Sequence, residues 1–221
     1  MTFKKYIENR DKITSAGFLS AAARYRELVV RVWNVGCTRL LWGWRLYSLG
    51  NRTVLSYSLQ VNNPRAVAIG SYVTIASQFV LTDLCLGRGE VPKIVIGDEC
   101  TILYRFQCNA AQSVRIGRNV LIASNVLITD SDHLVEPGGV PVTRNHKLIT
   151  RPVYVEDNCW LGQNAVILKG VTIGHDSIVG ANSTVTHDVP PCAVVAGNPA
   201  RIIKRLKVPE ESVSINRDVL G

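Results

Sequence analysis

Four histidines, His133, His146, His175 and His187, are the side chains best suited to move a proton at neutral pH, because an imidazole titrates near neutrality. His133 ends the phrase ITDSDH, beside Asp130, Ser131 and Asp132. A carboxylate that accepts a hydrogen bond from one ring nitrogen fixes the tautomer and leaves the other nitrogen able to take a proton, for instance from a hydroxyl. His146 lies in RNHK with Arg144 and Lys147, a basic group that suits an anion or a solvated loop. His175 follows Gly174 and reads as an exposed corner, and His187 follows Thr186. A three-histidine zinc site of the hydratase kind needs a pair five apart, whereas the nearest separations here are 12 and 13. The six cysteines (Cys37, Cys85, Cys100, Cys108, Cys159 and Cys192) form no CxxC pair. They read as small buried thiols in a reducing compartment, with no metal.

The elements that must position these groups are set by a repeat. From residue 67 an aliphatic side chain returns every six positions: Ile69, Ile75 and Leu81, then Ile96 and Ile102, then Ile116, Ile122 and Ile128. After an interruption it resumes through Val155, Leu161, Ile167, Ile173, Val179 and Val185. Neither the period of 2 of a strand nor the 3.6 of a helix gives a strict period of six. A triangular prism does: one aliphatic residue per side points to the axis, and three hexads close a coil of about 18 residues. Gly, Asn and Asp near the aliphatic positions suit the tight corners. The expected fold is therefore all-β, a parallel β-helix over 61–200. The period breaks at 82–95 and 133–152, read as loops thrown out of the coil, where binding groups tend to sit on a rigid scaffold.

The same pattern resembles the left-handed β-helix of hexapeptide-repeat acyltransferases. ITDSDH (128–133), DNCWLGQNAVILKGVTIG (157–174), VGANSTVTHDVPP (179–191) and AGNPARIIKRL (196–206) resemble the sugar O-acetyltransferases of capsule, lipopolysaccharide and nodulation-factor synthesis, over roughly 65–207. The resemblance implies acetyl-CoA as co-substrate, direct transfer to a sugar hydroxyl, no metal, and a homotrimer whose clefts lie between chains. It implies His133 as the general base, with Asp130 and Asp132 beside it. Ser131 departs from the family, whose phrase often carries a histidine there. For the carrier it implies Gly162-Gln163 and Gly180-Ala181 as backbone contacts to the pantetheine arm and Trp160 as a wall. His187 stands where relatives often carry a lysine near the phosphates, and Thr186 beside it is a further candidate for the carrier. Arg201, Lys204 and Arg205, expected on a short helix within 201–221, would meet the remaining phosphates or form a solvated helix face. The resemblance thins on the acceptor side, where LYRFQ replaces an Asn-rich phrase. Arg105, with Arg144 and His146 from the long loop, is the expectation there for an acidic or phosphorylated sugar.

The first 60 residues differ. They hold ten Lys/Arg against three Asp/Glu, a balance of +7 of the chain's +8, so a nucleic-acid partner for the whole chain loses its support. A helical apolar stripe runs from Ser15 to Val35, with Ser15 or Thr14 to cap it and Gly36 to end it. Trp33, Trp42 and Trp44 fall close together. Residues 15–49 read as a face that packs on the β-helix or a neighbouring subunit, or as a peripheral membrane contact. With neither a signal peptide nor a membrane span in the sequence, the expected location is the cytoplasm or the inner face of the membrane. Two other readings stay open: an N-acyltransferase acting on an amino-sugar nucleotide, and a β-helix scaffold without catalysis.

Overall fold

A computed structural model describes residues 21–56, 58–84 and 92–207. Within these residues the chain winds six coils, at 48–61, 67–83, 94–110, 114–129, 153–167 and 172–185, each laying one short strand on each of three sheets. The prism is a left-handed parallel β-helix, as the resemblance implied, against the right-handed rule for ordinary parallel crossovers. The first side carries Leu49, Ile69, Ile96, Ile116, Val155 and Ile173. The second carries Leu55, Ile75, Ile102, Ile122, Leu161, Val179 and Val195. The third carries Val61, Leu81, Cys108, Ile128, Ile167 and Val185. Each buried aliphatic side chain in these ladders stabilises by roughly 1.5–3 kcal/mol.

The corners follow from backbone conformation. Asn119, Asn125, Asn158, Asn164, Asp176 and Asn182 all sit near φ +60°, the left-handed region that Asn and Asp tolerate. They stack in two columns. The first corner, between sides one and two, runs through Tyr72, Glu99, Asn119, Asn158, Asp176 and Cys192; the second, between sides two and three, runs through Gln78, Arg105, Asn125, Asn164 and Asn182. The third corner is where the chain leaves the coil.

Several boundaries differ from expectation. The first coil begins at Ser48, not 61: Leu49, Leu55 and Val61 already keep the six-residue period, and Leu55 and Leu59 are buried. The helix, α1 (Ala21–Trp42), passes through Gly36 and ends before Gly43, where a Cβ would lie 2.6 Å from the Arg39 carbonyl oxygen. Packing decides this. Thr38 donates to and accepts from the Leu55 backbone, and Trp42 and Leu46 are buried against the first coil. Such contacts outweigh the cost of about 1 kcal/mol for a mid-helix glycine. The proposed caps Thr14 and Ser15 lie outside the described residues. The expected C-terminal helix is instead a strand, Ala200–Arg205, antiparallel to Ala193–Gly197 around the cis Asn198–Pro199 bond. It adds an edge to the second side, and its exposed Arg201, Lys204 and Arg205 give that edge the charge that discourages further pairing. Residues 208–221 lie outside the description.

Candidate functional site

Both interruptions depart from the third corner. The first is shorter than expected, since the strand reaches Asp83 and pairing resumes at Ile94. The second is a β-hairpin: Ser131–His133 pairs antiparallel with Leu148–Thr150, His133 opposite Leu148. Asn145, buried at its turn, donates from Nδ2 to the Leu134 carbonyl at 3.1 Å and accepts from the Lys147 N–H at 3.1 Å. His133 thus stands on a paired strand, four residues past the end of the fourth coil, rather than on an irregular loop.

Neither carboxylate of the phrase orients it. Asp130 is fully buried and accepts from the N–H groups of Ala111, Gln112 and Ser113, each at 2.7 Å, one coil below. It ties the root of the hairpin to the third coil. Asp132 pairs with Lys169, at the third corner just past the fifth coil, bracing the hairpin from the other side. The expectation that either carboxylate holds the imidazole is corrected: both are engaged, and the exposed His133 ring bonds to no described residue. The coil below places Gln107 and Asn109 on the outer surface of the third side, Asn109 in register with Thr129 and bonded to Gln107 at 3.3 Å. Lys169, Asn109 and Asn145 were missed by sequence reasoning. For Lys169 and Asn109 the signal was stacking, because matching positions of successive coils become lateral neighbours, whereas Asn145 bonds inside the hairpin to residues 11 and 2 positions away.

The carrier candidates fall into two groups. Trp160, Ile178, Val194 and Lys204 form one register row across the second side. Trp160 is 40% exposed on its outer surface. Gly162-Gln163 and Gly180-Ala181 follow at the second corner. The N–H groups of Gly162 and Gly180 are used within the solenoid, donating to Val179 at 2.8 Å and Val195 at 2.7 Å. They are therefore not available to a bound amide, which corrects that expectation; the N–H groups of Gln163 and Ala181, both exposed, bond to nothing described. Thr186 and His187, bonded to each other at 2.8 Å, sit instead at the third corner with Lys169 and the hairpin. Arg201 is exposed on the last strand.

The acceptor candidates also divide. Arg105 stands at the second corner, its Nε donating to Gln78 at 3.0 Å, while Arg144 and His146 are exposed on the hairpin. At the first corner, well away from His133, His175, Asp176 and Cys192 bring three donor atoms within 4.8 Å of one another. The His175 Nδ1 to Asp176 contact is 2.7 Å. Among the described residues, this is the group that could hold a metal ion.

Comparison with known proteins accords with this architecture. Residues 152–187, the fifth and sixth coils, match the bacterial transferase hexapeptide (six repeats) family, and the chain carries that repeat. Galactoside O-acetyltransferase of Escherichia coli is 43% identical over 63 residues, 28% of this chain and 31% of that protein. The chain spans about a third of the length of the curated relatives it matches. A hexapeptide-repeat-containing acetyltransferase from Vibrio cholerae, solved with acetyl coenzyme A, superposes with a TM-score of 0.53 at 26% identity. That match covers 87% of this chain and 93% of the other. A variant of the N-acyltransferase AntD from Bacillus cereus, solved with dTDP-4-amino-4,6-dideoxyglucose and coenzyme A, gives 0.66 at 22% identity. It covers 83% and 95% of the two chains and shares the fold.

Proposed function

We propose that the chain moves an acetyl group from acetyl-CoA to a hydroxyl of a sugar in surface polysaccharide or glycolipid synthesis, with His133 as general base. The observation that carries this reading is His133 itself: an exposed imidazole with no partner among the described residues, on a hairpin braced to the coils below and above. A rigidly held base needs little reorganisation when substrate arrives. The imidazole takes the hydroxyl proton as the oxygen attacks the thioester carbonyl. The C–S bond then breaks, the C–O ester remains, and the proton passes to the departing thiolate. Gln107 and Asn109, one coil below, are side chains able to hydrogen-bond the acceptor. The galactoside O-acetyltransferase and the acetyl-CoA-bound neighbour support the donor and the class of nucleophile.

The distribution of candidates supports a trimer. The base and Thr186-His187 lie on the third corner, while Trp160, Gln163, Ala181 and Arg105 lie on or beside the second, across a whole side of the prism. Packing the third corner of one copy against the second corner of the next would assemble one site from two chains. Among the described residues no helix is long and apolar enough to cross a membrane. Synthesis of such glycans from acetyl-CoA belongs in the cytoplasm, at or near its membrane.

The test is release of free thiol from acetyl-CoA with a panel of sugar hydroxyl acceptors, and one amino-sugar nucleotide, for wild type and His133→Ala. We expect kcat to fall by on the order of 10²–10⁴, with coenzyme A affinity by calorimetry and the circular dichroism unchanged. Retained kcat would remove His133 as base. Turnover only with the amine would replace O-transfer by N-transfer.

A further inference from the structure

We propose that the N-terminal end of the solenoid docks on a bilayer surface containing anionic lipid. The sequence from 28 to 82 holds no Asp or Glu and five arginines, Arg31, Arg39, Arg45, Arg52 and Arg65. These residues build most of α1, the first coil and the start of the second; the one acidic residue of α1 is Glu27, near its start and beside Arg24 and Arg26. Arg39, Arg45, Arg52 and Arg65 form no ion pair among the described residues. Arg39 donates to Asn51, and Arg65 to the Leu46 carbonyl at 3.5 Å. The Arg45 guanidinium lies 4.8 Å from the Trp42 ring centre, and that of Arg52 lies 5.6 Å from Tyr72.

The same end exposes large apolar side chains. Thr38 and Trp42 turn one face of α1 onto the first coil, which leaves Trp33, Leu40 and Leu41 outward, with Trp44 just beyond the helix. Trp33 is 71% exposed, Leu40 76%, Leu41 51% and Trp44 71%, and Tyr47 follows at 48%. An apolar, Trp-bearing surface ringed by arginines matches the headgroup boundary of a membrane, where indoles settle and phosphate groups supply the missing anions. A second copy of this chain fits less well. It would bring the same arginines to the contact, with Glu27 of α1 the single acidic residue between 21 and 82 to offset them. The inference is independent of the acetyl-transfer reading. It gives the enzyme, if that reading holds, a surface for reaching a membrane-borne acceptor.

The experiment is co-sedimentation of the full chain with phosphatidylcholine vesicles, alone or with about a third phosphatidylglycerol, at low and high salt. Two double variants are compared, Leu40→Glu with Trp44→Glu and Arg45→Gln with Arg52→Asn. Sedimentation velocity, circular dichroism and coenzyme A binding are recorded beside them. We expect at least tenfold tighter binding to the anionic vesicles, weakened by salt as the Debye length shrinks. The arginine pair should weaken it about 30-fold, at roughly fivefold per basic residue held at an anionic surface. The Leu40/Trp44 pair should abolish it while leaving sedimentation and coenzyme A binding unchanged. Equal or absent binding to the two vesicle types at low salt overturns the proposal. So does a change of sedimenting mass in the Leu40/Trp44 variant, which would mean that a second copy covers this face.

Discussion

Asp130 and Asp132 flank a single serine yet serve different neighbours: residues two apart in a regular strand share a face, but Asp130 lies at the corner before the hairpin strand Ser131–His133 begins, and Asp132 lies within that strand. Asp130 faces inward, holding three N–H groups of the coil below. Asp130→Ala leaves those donors without an acceptor and should cost roughly 3–5 kcal/mol in urea unfolding. Asp130→Asn, which keeps an acceptor oxygen, should cost less. A loss below about 1 kcal/mol for the alanine variant would mean that the root of the hairpin is held some other way. The thiols make a second prediction. Burial pushes the Cys100 thiol up to about 11 and that of Cys159 to about 12, from an ordinary 9.0, and raises Cys108 as well. Because these folded values lie above the unfolded one, the stability they confer is complete below about pH 9 and fades as pH rises through the folded values. Iodoacetamide at pH 8 should label the half-buried Cys37 and Cys192 of native protein and spare Cys100, Cys108 and Cys159. Peptide mass spectrometry reads this, and equal labelling of all five would contradict the packing. The candidate base was legible from ITDSDH; the partners of the neighbouring carboxylates were not, since they come from residues 17 to 37 positions away.

At the scale of elements, the second corner is a ladder. Asn125 donates to Asn164 at 3.0 Å, and Asn164 to Asn182 at 2.8 Å, each from Nδ2 to Oδ1. Asn164 sits at φ 59°, so Asn164→Ala loses both side-chain bonds and strains the backbone, costing about 1–3 kcal/mol in thermal or urea unfolding. Asn164→Gly loses the bonds but not the conformation and should cost less than alanine. The reverse order would show that the corner does not need left-handed backbone. Inside the same corner the filling shrinks along the stack, from Phe79 and Phe106, centroids 4.9 Å apart, through Val126 and Ala165 to Ser183. The hexads announced these strands because each needs one axial aliphatic residue. The hairpin and the last strand were not announced, since their pairing is antiparallel and carries no six-residue signature.

Across the whole molecule, each coil touches only its neighbours, so the stack needs both ends covered. Here α1 packs on the first coil, and the charged strand Ala200–Arg205 edges the second side. If the site is shared between copies, as proposed, specific activity should fall on dilution in step with loss of trimer mass by sedimentation, and recover on concentration. Activity that stays constant while the mass drops to that of one chain would return the whole site to a single prism.

The residues alone determined the prism, its period and its corners, because a one-dimensional stack repeats the same local demand every six positions. They also marked His133 and the basic, Trp-rich beginning of the chain. Only the tertiary structure decided that Asp130 and Asp132 brace a hairpin rather than an imidazole, that Gly162 and Gly180 spend their N–H groups within the solenoid, and which tryptophan is buried and which exposed. Each of those outcomes depends on what the next coil places alongside, and lateral neighbours in a solenoid are distant in the chain.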